Sequence, residues 1–283
     1  MEILKDRNFE YGFLVSPLNS RMEWDGRKIS FGKDGEPLWK FVQWFSNESI
    51  IDAKPKTEGN TTSYSNRYKT VAVSRKENGN ATISLTCNAF EEYGGPVPSP
   101  DFYGWVHMGI EQHFAEPVYL SRLQKFVLSF HGKFDIENTS QNAQIDKCAG
   151  QCNFCFIIRN TNPQSPDFNK IIWNQVCLHD SRYDIPPEYC GIDAGVAECS
   201  GEFIYTMDAH RMLDKPFANT GEHFICYDWL PEMKEALDIV KSRGGMPHTD
   251  WEDLTVNYLG MGFEIARGDI YRLELSDLSV QTE

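Results

Sequence analysis

The chain has 283 residues, somewhat more than the ~200–250 that all-β sandwiches and barrels commonly reach as one domain, so length does not demand a second core. Its 27 Lys and Arg against 41 Asp and Glu leave a net charge of −14, a field that repels phosphate backbones; with no local basic patch to overcome it, no nucleic-acid partner is expected. The longest apolar runs, Phe126–Phe130 and Phe154–Ile158, are far shorter than the ~20 residues of a membrane span, so no membrane partner is expected either.

Along the chain, residues 1–65 mix Trp24, Trp39 and Trp44 with many polar residues, a composition that suits edge strands or a peripheral arm. No apolar stretch of signal-peptide length follows Met1, which leaves either cytoplasmic placement or export with the signal trimmed away. Runs rich in β-branched and aromatic residues then recur: Thr70–Ser74, Thr82–Cys87, Phe126–Phe134, Asn153–Arg159, Lys170–Leu178, Glu202–Met207, Glu222–Tyr227, Thr255–Glu264 and Tyr271–Val280. Turn formers such as Glu77-Asn78-Gly79-Asn80, Gly94-Gly95-Pro96 and Pro186-Pro187 separate them. A single helix is expected near residues 231–242: Pro231 suits a first turn, and Met233, Ala236, Leu237 and Val240 form one apolar stripe that Gly244-Gly245 ends. The pattern predicts an all-β chain, a two-sheet antiparallel sandwich forming a single domain over 1–283.

The eight cysteines make up about 3 % of the chain, below the ~8–10 % of a disulfide scaffold. Cys148-Ala-Gly-Gln-Cys152-Asn-Phe-Cys155 has the spacing of the iron–sulfur motif of radical S-adenosylmethionine enzymes. Those enzymes set the motif among alternating strands and helices, whereas here it lies among strands, so ordinary strand cysteines or a disulfide is the favoured reading. No second close Cys or His pair completes a zinc site. No metal and no cofactor is expected.

Glycoside hydrolysis needs one carboxylic acid to protonate the leaving oxygen and a second carboxylate as nucleophile or base. Three candidates stand out. Glu264, in Leu259-Gly-Met-Gly-Phe-Glu264-Ile, lies in an otherwise apolar strand where burial suits a carboxyl to be an acid. Glu111 has a similar setting in Met108-Gly-Ile-Glu111-Gln112-His113, and Asp180 follows Val176-Cys-Leu-His179 near Arg182. Taken singly, such carboxylates are more often structural ion-pair partners than catalysts. Flat rings at Trp105, Trp173 and Trp229 suit stacking on sugar faces, with His107, Gln112 and Asn174 as polar partners, although core packing explains any one of these aromatics equally well.

The segment Phe224-Ile-Cys-Tyr-Asp228-Trp-Leu-Pro-Glu-Met-Lys-Glu-Ala-Leu, followed by Leu254-Thr-Val-Asn-Tyr-Leu-Gly-Met-Gly-Phe-Glu264-Ile-Ala-Arg-Gly268, resembles the C-terminal part of the small jelly-roll endoglucanases, which include cellulases and xyloglucanases. The resemblance extends over about residues 100–280. It implies a concanavalin A-like jelly roll, a β-linked polysaccharide or oligosaccharide as substrate, and the acid/base position for Glu264. One departure stands out: where that family carries a nucleophilic Glu, this chain has Ile172-Trp173-Asn174-Gln175-Val176-Cys177, with no carboxylate until Asp180. Either Glu111 or Asp180 then serves as partner, or the fold binds sugar without cleaving it, as a carbohydrate-binding module.

Overall fold

The structure is a computed structural model that describes residues 1–19, 26–96, 104–138, 149–193 and 200–283. Its strands, in chain order, are β1 Phe13–Val15, β2 Lys28–Ile29, β3 Trp39–Val42, β4 Lys56–Glu58, β5 Thr61–Ser65, β6 Lys69–Arg75, β7 Ala81–Asn88 and β8 Val106–Tyr119. There follow β9 Phe126–Glu137, β10 Gly150–Asn160, β11 Ile171–Asp180, β12 Tyr189–Ile192, β13 Phe203–Met207, β14 Glu222–Asp228, β15 Leu254–Ile265 and β16 Ile270–Thr282. They form two sheets of nine and seven strands, in the orders β12-β13-β11-β10-β15-β8-β3-β1-β2 and β14-β9-β16-β7-β6-β5-β4. Pairing is antiparallel except for β1 with β3 and β11 with β13. This is the two-sheet jelly-roll sandwich expected from the sequence; β3, β1 and β2 extend the nine-stranded sheet beyond β8, and β5 and β4 extend the other beyond β6.

Strand alternation builds the core. Phe126, Phe130 and Phe134 on β9 point inward at every fourth residue and meet Phe156, Phe154 and Phe263 of the opposite sheet at ring-centroid distances of 4.9, 4.7 and 5.6 Å. Each such buried ring contributes roughly 1.5–3 kcal/mol by leaving water, so this aromatic seam is a main tie between the sheets.

The one long helix among the described residues, α2, spans Leu230–Ser242, following the five-residue α1, Ala89–Tyr93. Pro231 sits in the first turn of α2, and Met233, Ala236, Leu237 and Val240 are buried against the sandwich. Beyond its end, Gly244 adopts φ +81° and Gly245 donates to the Val240 carbonyl at 2.9 Å, a left-handed turn that glycine makes without strain. Among the described residues no helix is long and apolar enough to cross a membrane.

Short α1 is locked by a buried ion pair. Lys69 Nζ lies 3.5 Å from Glu92 Oε1 with neither side chain exposed, and Ser46 Oγ bonds both. The Asn47 amide donates to Glu92 Oε2 at 2.7 Å, so the carboxylate is fully partnered. Burial pulls the Lys69 ammonium below its ordinary range, and Glu92 first, then Cys87 and Glu48, oppose that pull.

Candidate functional site

The four central strands of the nine-stranded sheet, β8, β15, β10 and β11, turn alternate residues away from the core, and register places those residues in rows across the strands. One row reads His107, Glu264, Gln151, Asp180. The next reads Gly109, Gly262, Asn153, Cys177, and the third Glu111, Gly260, Cys155, Gln175. Lys40 on β3 pairs opposite Glu111, and Thr206 on β13 opposite Gln175. Beyond them lie His113, Tyr258 and Trp173; Tyr258 meets His113 at 5.2 Å and Trp173 edge-on at 6.4 Å. Glycine holds three places in the middle of this face, Gly109, Gly262 and Gly260, the last lying beneath the Tyr258 hydroxyl, between a row of acids and amides on one side and a row of rings on the other.

Glu264 is the most accessible of the three candidate carboxylates, its side chain 42 % exposed against 8 % for Glu111 and 4 % for Asp180. Its predicted burial is corrected by the structure: the apolar neighbours Leu259, Met261, Phe263 and Ile265 all face inward, so Glu264 stands on the open side of an apolar strand. The nearest base is His107, whose Nε2 lies 3.6 Å from Glu264 Oε1.

Asp180 ends the same row two strands away. Arg182 grips it in a fork, Nε to Oδ1 at 2.9 Å and Nη2 to Oδ2 at 2.6 Å, while Gln151 Nε2 donates to Oδ2 at 2.6 Å. Burial opposes charge on Asp180, but the bonds from Arg182 and Gln151 outweigh it and hold the carboxyl below its usual range, ionised.

Glu111 accepts from Tyr258 Oη at 2.9 Å and lies 3.6 Å from Lys40 Nζ. Burial and then Glu111 push the Tyr258 phenol well above its ordinary value, so it remains a neutral donor. Glu111 sits opposite Gly260, four residues along β15 from Glu264, so the two backbones are ~13 Å apart along the strand and the pair does not converge on one bond. Asp180, in the same row as Glu264 and two strands across, is ~10 Å away at the backbone, close enough for side chains to reach toward each other.

The six side chains expected to hold substrate divide by parity. His107 and Trp173 stand on the outer face, and Trp105, 37 % exposed, precedes β8 and turns its carbonyl to His107. Gln112, Asn174 and Trp229 do not belong to the site. Gln112 faces inward and is spent on the N-terminal segment, bonding the Lys5 amide and carbonyl at 2.9 Å each. Asn174 is fully buried beneath α2, and Trp229 packs edge-on against Phe156 at 4.9 Å with no exposed surface. Even-numbered positions of β8 as far as Phe114 and of β11 as far as Leu178 point into the core, and a bulge after Cys177 then turns His179 inward and Asp180 outward, which the residue types do not reveal.

Gln151, Asn153, Gln175 and Tyr258 were missed by sequence reasoning. Counting back in twos from Glu264 would have found Tyr258, but the others depend on which strands pair. Asn153 Oδ1 is buried and, among the described residues, without a hydrogen-bond partner, in the row that holds Gly109 and Gly262.

The cysteine motif does not assemble a cluster from its described members. Cys152 faces the core and Cys155 the outer face, as residues three apart on a strand must; Cys148 lies outside the described residues. Among the described residues no group of His, Cys, Asp or Glu is arranged to hold a metal. Burial raises the Cys155 and Cys177 thiols well above their ordinary value, which keeps them protonated and unreactive. A cavity of about 280 Å³ lined by Leu4, Arg7, Asn80 and Asp277 lies apart from this face and holds none of the candidate carboxylates.

No family model matches the chain, and no curated protein does. Solved structures are similar to it over most of its length. The family 12 xyloglucanase from Bacillus licheniformis is 13 % identical, covering 82 % of this chain and 97 % of its own, with a TM-score of 0.40. Endoglucanase 3 of family GH12 from Trichoderma harzianum is 9 % identical, covering 88 % of this chain and 100 % of its own, at TM-score 0.44. The xyloglucanase domain of a type three effector from Sinorhizobium fredii, solved with cellobiose, is 13 % identical over 82 % of this chain and 96 % of its own, at TM-score 0.37.

Proposed function

We propose that this protein is a carbohydrate-active hydrolase that cleaves a β-linked polysaccharide or oligosaccharide on the outer face of the nine-stranded sheet. The observation that carries the reading is the row His107, Glu264, Gln151, Asp180: one accessible carboxyl with, among the described residues, a single loose partner, and one carboxylate fixed as an anion, on the same face two strands apart. Two carboxyls in contrasting environments are what acid and ionised-carboxylate roles require. Glu264 then protonates the leaving oxygen, and Asp180 stabilises or attacks the developing positive sugar centre. Glu111 serves binding, through its bond to Tyr258 and the neighbouring Trp173, rather than bond cleavage.

The middle of the outer face fits an extended chain lying across the strands, with Trp173 and Tyr258 offering ring faces or edges and Asn153, Gln175 and Glu111 offering hydroxyl partners. The fork of Arg182 on Asp180 favours one rival, a carbohydrate-binding module, because a fully partnered carboxylate is a poor nucleophile. Reducing-sugar release from β-glucans, xyloglucan, xylan and mannan by the wild type, Glu264→Gln and Asp180→Asn decides between them. Release lost in both variants supports the hydrolase. Retention on one of these glycans in affinity electrophoresis with no release from any moves the protein to the binding reading.

A further inference from the structure

The orientation of His107 says more than its place in the row. Its Nδ1 lies 2.6 Å from the carbonyl oxygen of Trp105, a group that only accepts, so Nδ1 carries a hydrogen. The neutral imidazole must then leave Nε2 bare, and Nε2 is the atom facing Glu264 Oε1 at 3.6 Å. The ring is held there from the other side by Trp44 and Phe45, at centroid distances of 5.6 and 5.8 Å, and its own amide donates to the Trp44 carbonyl at 2.9 Å. A lone pair thus faces a carboxylate oxygen across 3.6 Å, longer than a hydrogen bond, and a proton passes between the two only once the side chains close to ~2.6–3.2 Å, as catalytic pairs do when substrate binds.

Building on the hydrolase reading above, we infer that His107 and Glu264 form a proton-sharing pair, in which His107 Nε2 supplies the proton that Glu264 delivers to the leaving oxygen. The transfer balances simply: the Nε2–H bond of the imidazolium breaks, an O–H bond forms on Glu264, and a charged pair becomes a neutral imidazole and a neutral acid. Solvent returns a proton to Nε2 through the exposed part of the ring, whose side chain is 22 % accessible. His107 acts through Glu264 and is a positioning and proton-supplying residue, not a group that touches the sugar.

Among the described residues, the charged and titratable groups near the pair are few. On β15 there are Glu264 itself and the Tyr258 phenol; on β10 the neutral Gln151 and the buried Cys155 thiol; on β11 the buried Cys177 thiol and Asp180, which Arg182 in the turn after it neutralises; in the segment after β3 the rings of Trp44 and Phe45; and on α1 the Tyr93 phenol, which is engaged with the Ile265 carbonyl and the Val106 amide. None of these competes with Glu264 for Nε2.

His107→Gln keeps an amide to contact Trp105 but cannot carry the proton, so on a cleaved glycan it should lower kcat about tenfold or more while KM stays near the wild-type value. An unchanged kcat, or a loss confined to KM, would overturn the inference. Nitrogen-15 spectra of the wild-type imidazole test it without any turnover: protonation at Nδ1 with a bare Nε2 at high pH is expected, and an Nε2–H tautomer there would refute it. If the wild type releases no sugar from any glycan, the hydrolase reading fails, while the spectra still decide whether His107 turns a bare Nε2 to Glu264, without which the pair has no proton to share.

Discussion

Glu92 and Glu264 are both carboxylates set beside a single base, Lys69 and His107, yet the sandwich treats them in opposite ways. Glu92 and Lys69 have no exposed side-chain surface, and Ser46 and the Asn47 amide complete their bonding. Glu264 keeps 42 % of its side chain open and has one base at 3.6 Å, longer than a hydrogen bond. A charge whose every partner lies in the protein has no capacity left for a ligand and acts to fix the fold. A charge left with one loose partner is available to substrate, and its environment changes when substrate arrives.

Glu264→Gln breaks the comparison at its open end. On any glycan the wild type cleaves, it should lower kcat by about 10²–10⁴-fold, the usual loss for a general acid, while the urea midpoint stays within error of the wild type. A variant that unfolds early would show Glu264 to be structural after all.

The sealed end should respond in the opposite sense. Lys69→Met strands a buried carboxylate and is expected to cost about 3–5 kcal/mol by urea denaturation, whereas Lys69→Met with Glu92→Leu should recover most of that loss. Equal destabilisation by the single and double variants would mean that the pair itself, rather than the uncompensated charge, holds α1.

A third test uses pH. His179 faces the core, near the rings of Phe134 and Tyr271, and burial depresses its proton affinity to about 4. The unfolded chain binds that proton near ~6.5, so the unfolded state holds more protons between these values and stability falls as pH drops through this window. A loss of ~3 kcal/mol between pH 7 and pH 4 is expected from this residue, and His179→Gln should flatten that part of the curve in a denaturation series. An unchanged slope would place the acid sensitivity elsewhere.

The smallest effect is expected at the ring side of the face. Tyr258→Phe removes one hydrogen bond to Glu111 and should weaken glycan retention in affinity electrophoresis by a few-fold, with kcat changed less than KM. A loss in kcat as large as that of Glu264→Gln would shift the chemistry toward Glu111.

Much of the architecture was readable because β strands with one buried face write it into local composition. All nine expected runs coincide with strands, two of them beginning one residue early at Lys170 and Glu202, and Pro231 with the stripe from Met233 to Val240 marked α2 within a residue or so of Leu230–Ser242. The site was legible only in part. Glu264 and Asp180 were singled out by residue type and fall in one row, whereas Glu111, equally prominent in sequence, falls two rows away. Gln112, Asn174 and Trp229 were chosen for their chemistry and lie inside, because residue type does not say which way a strand position points.

The sequence by itself determined that strands would form, where the long helix would lie and which charges needed partners, since alternation, turn residues and helix stripes are properties of short stretches of chain. Only the tertiary structure decided that His107 meets Glu264, that Gln151 bridges toward Asp180, and that Cys152 and Cys155 part to opposite faces. Those pairings join strands up to 157 positions apart along the chain, as in His107 and Glu264, and a shift of one residue in register would have turned every one of these side chains to the other face.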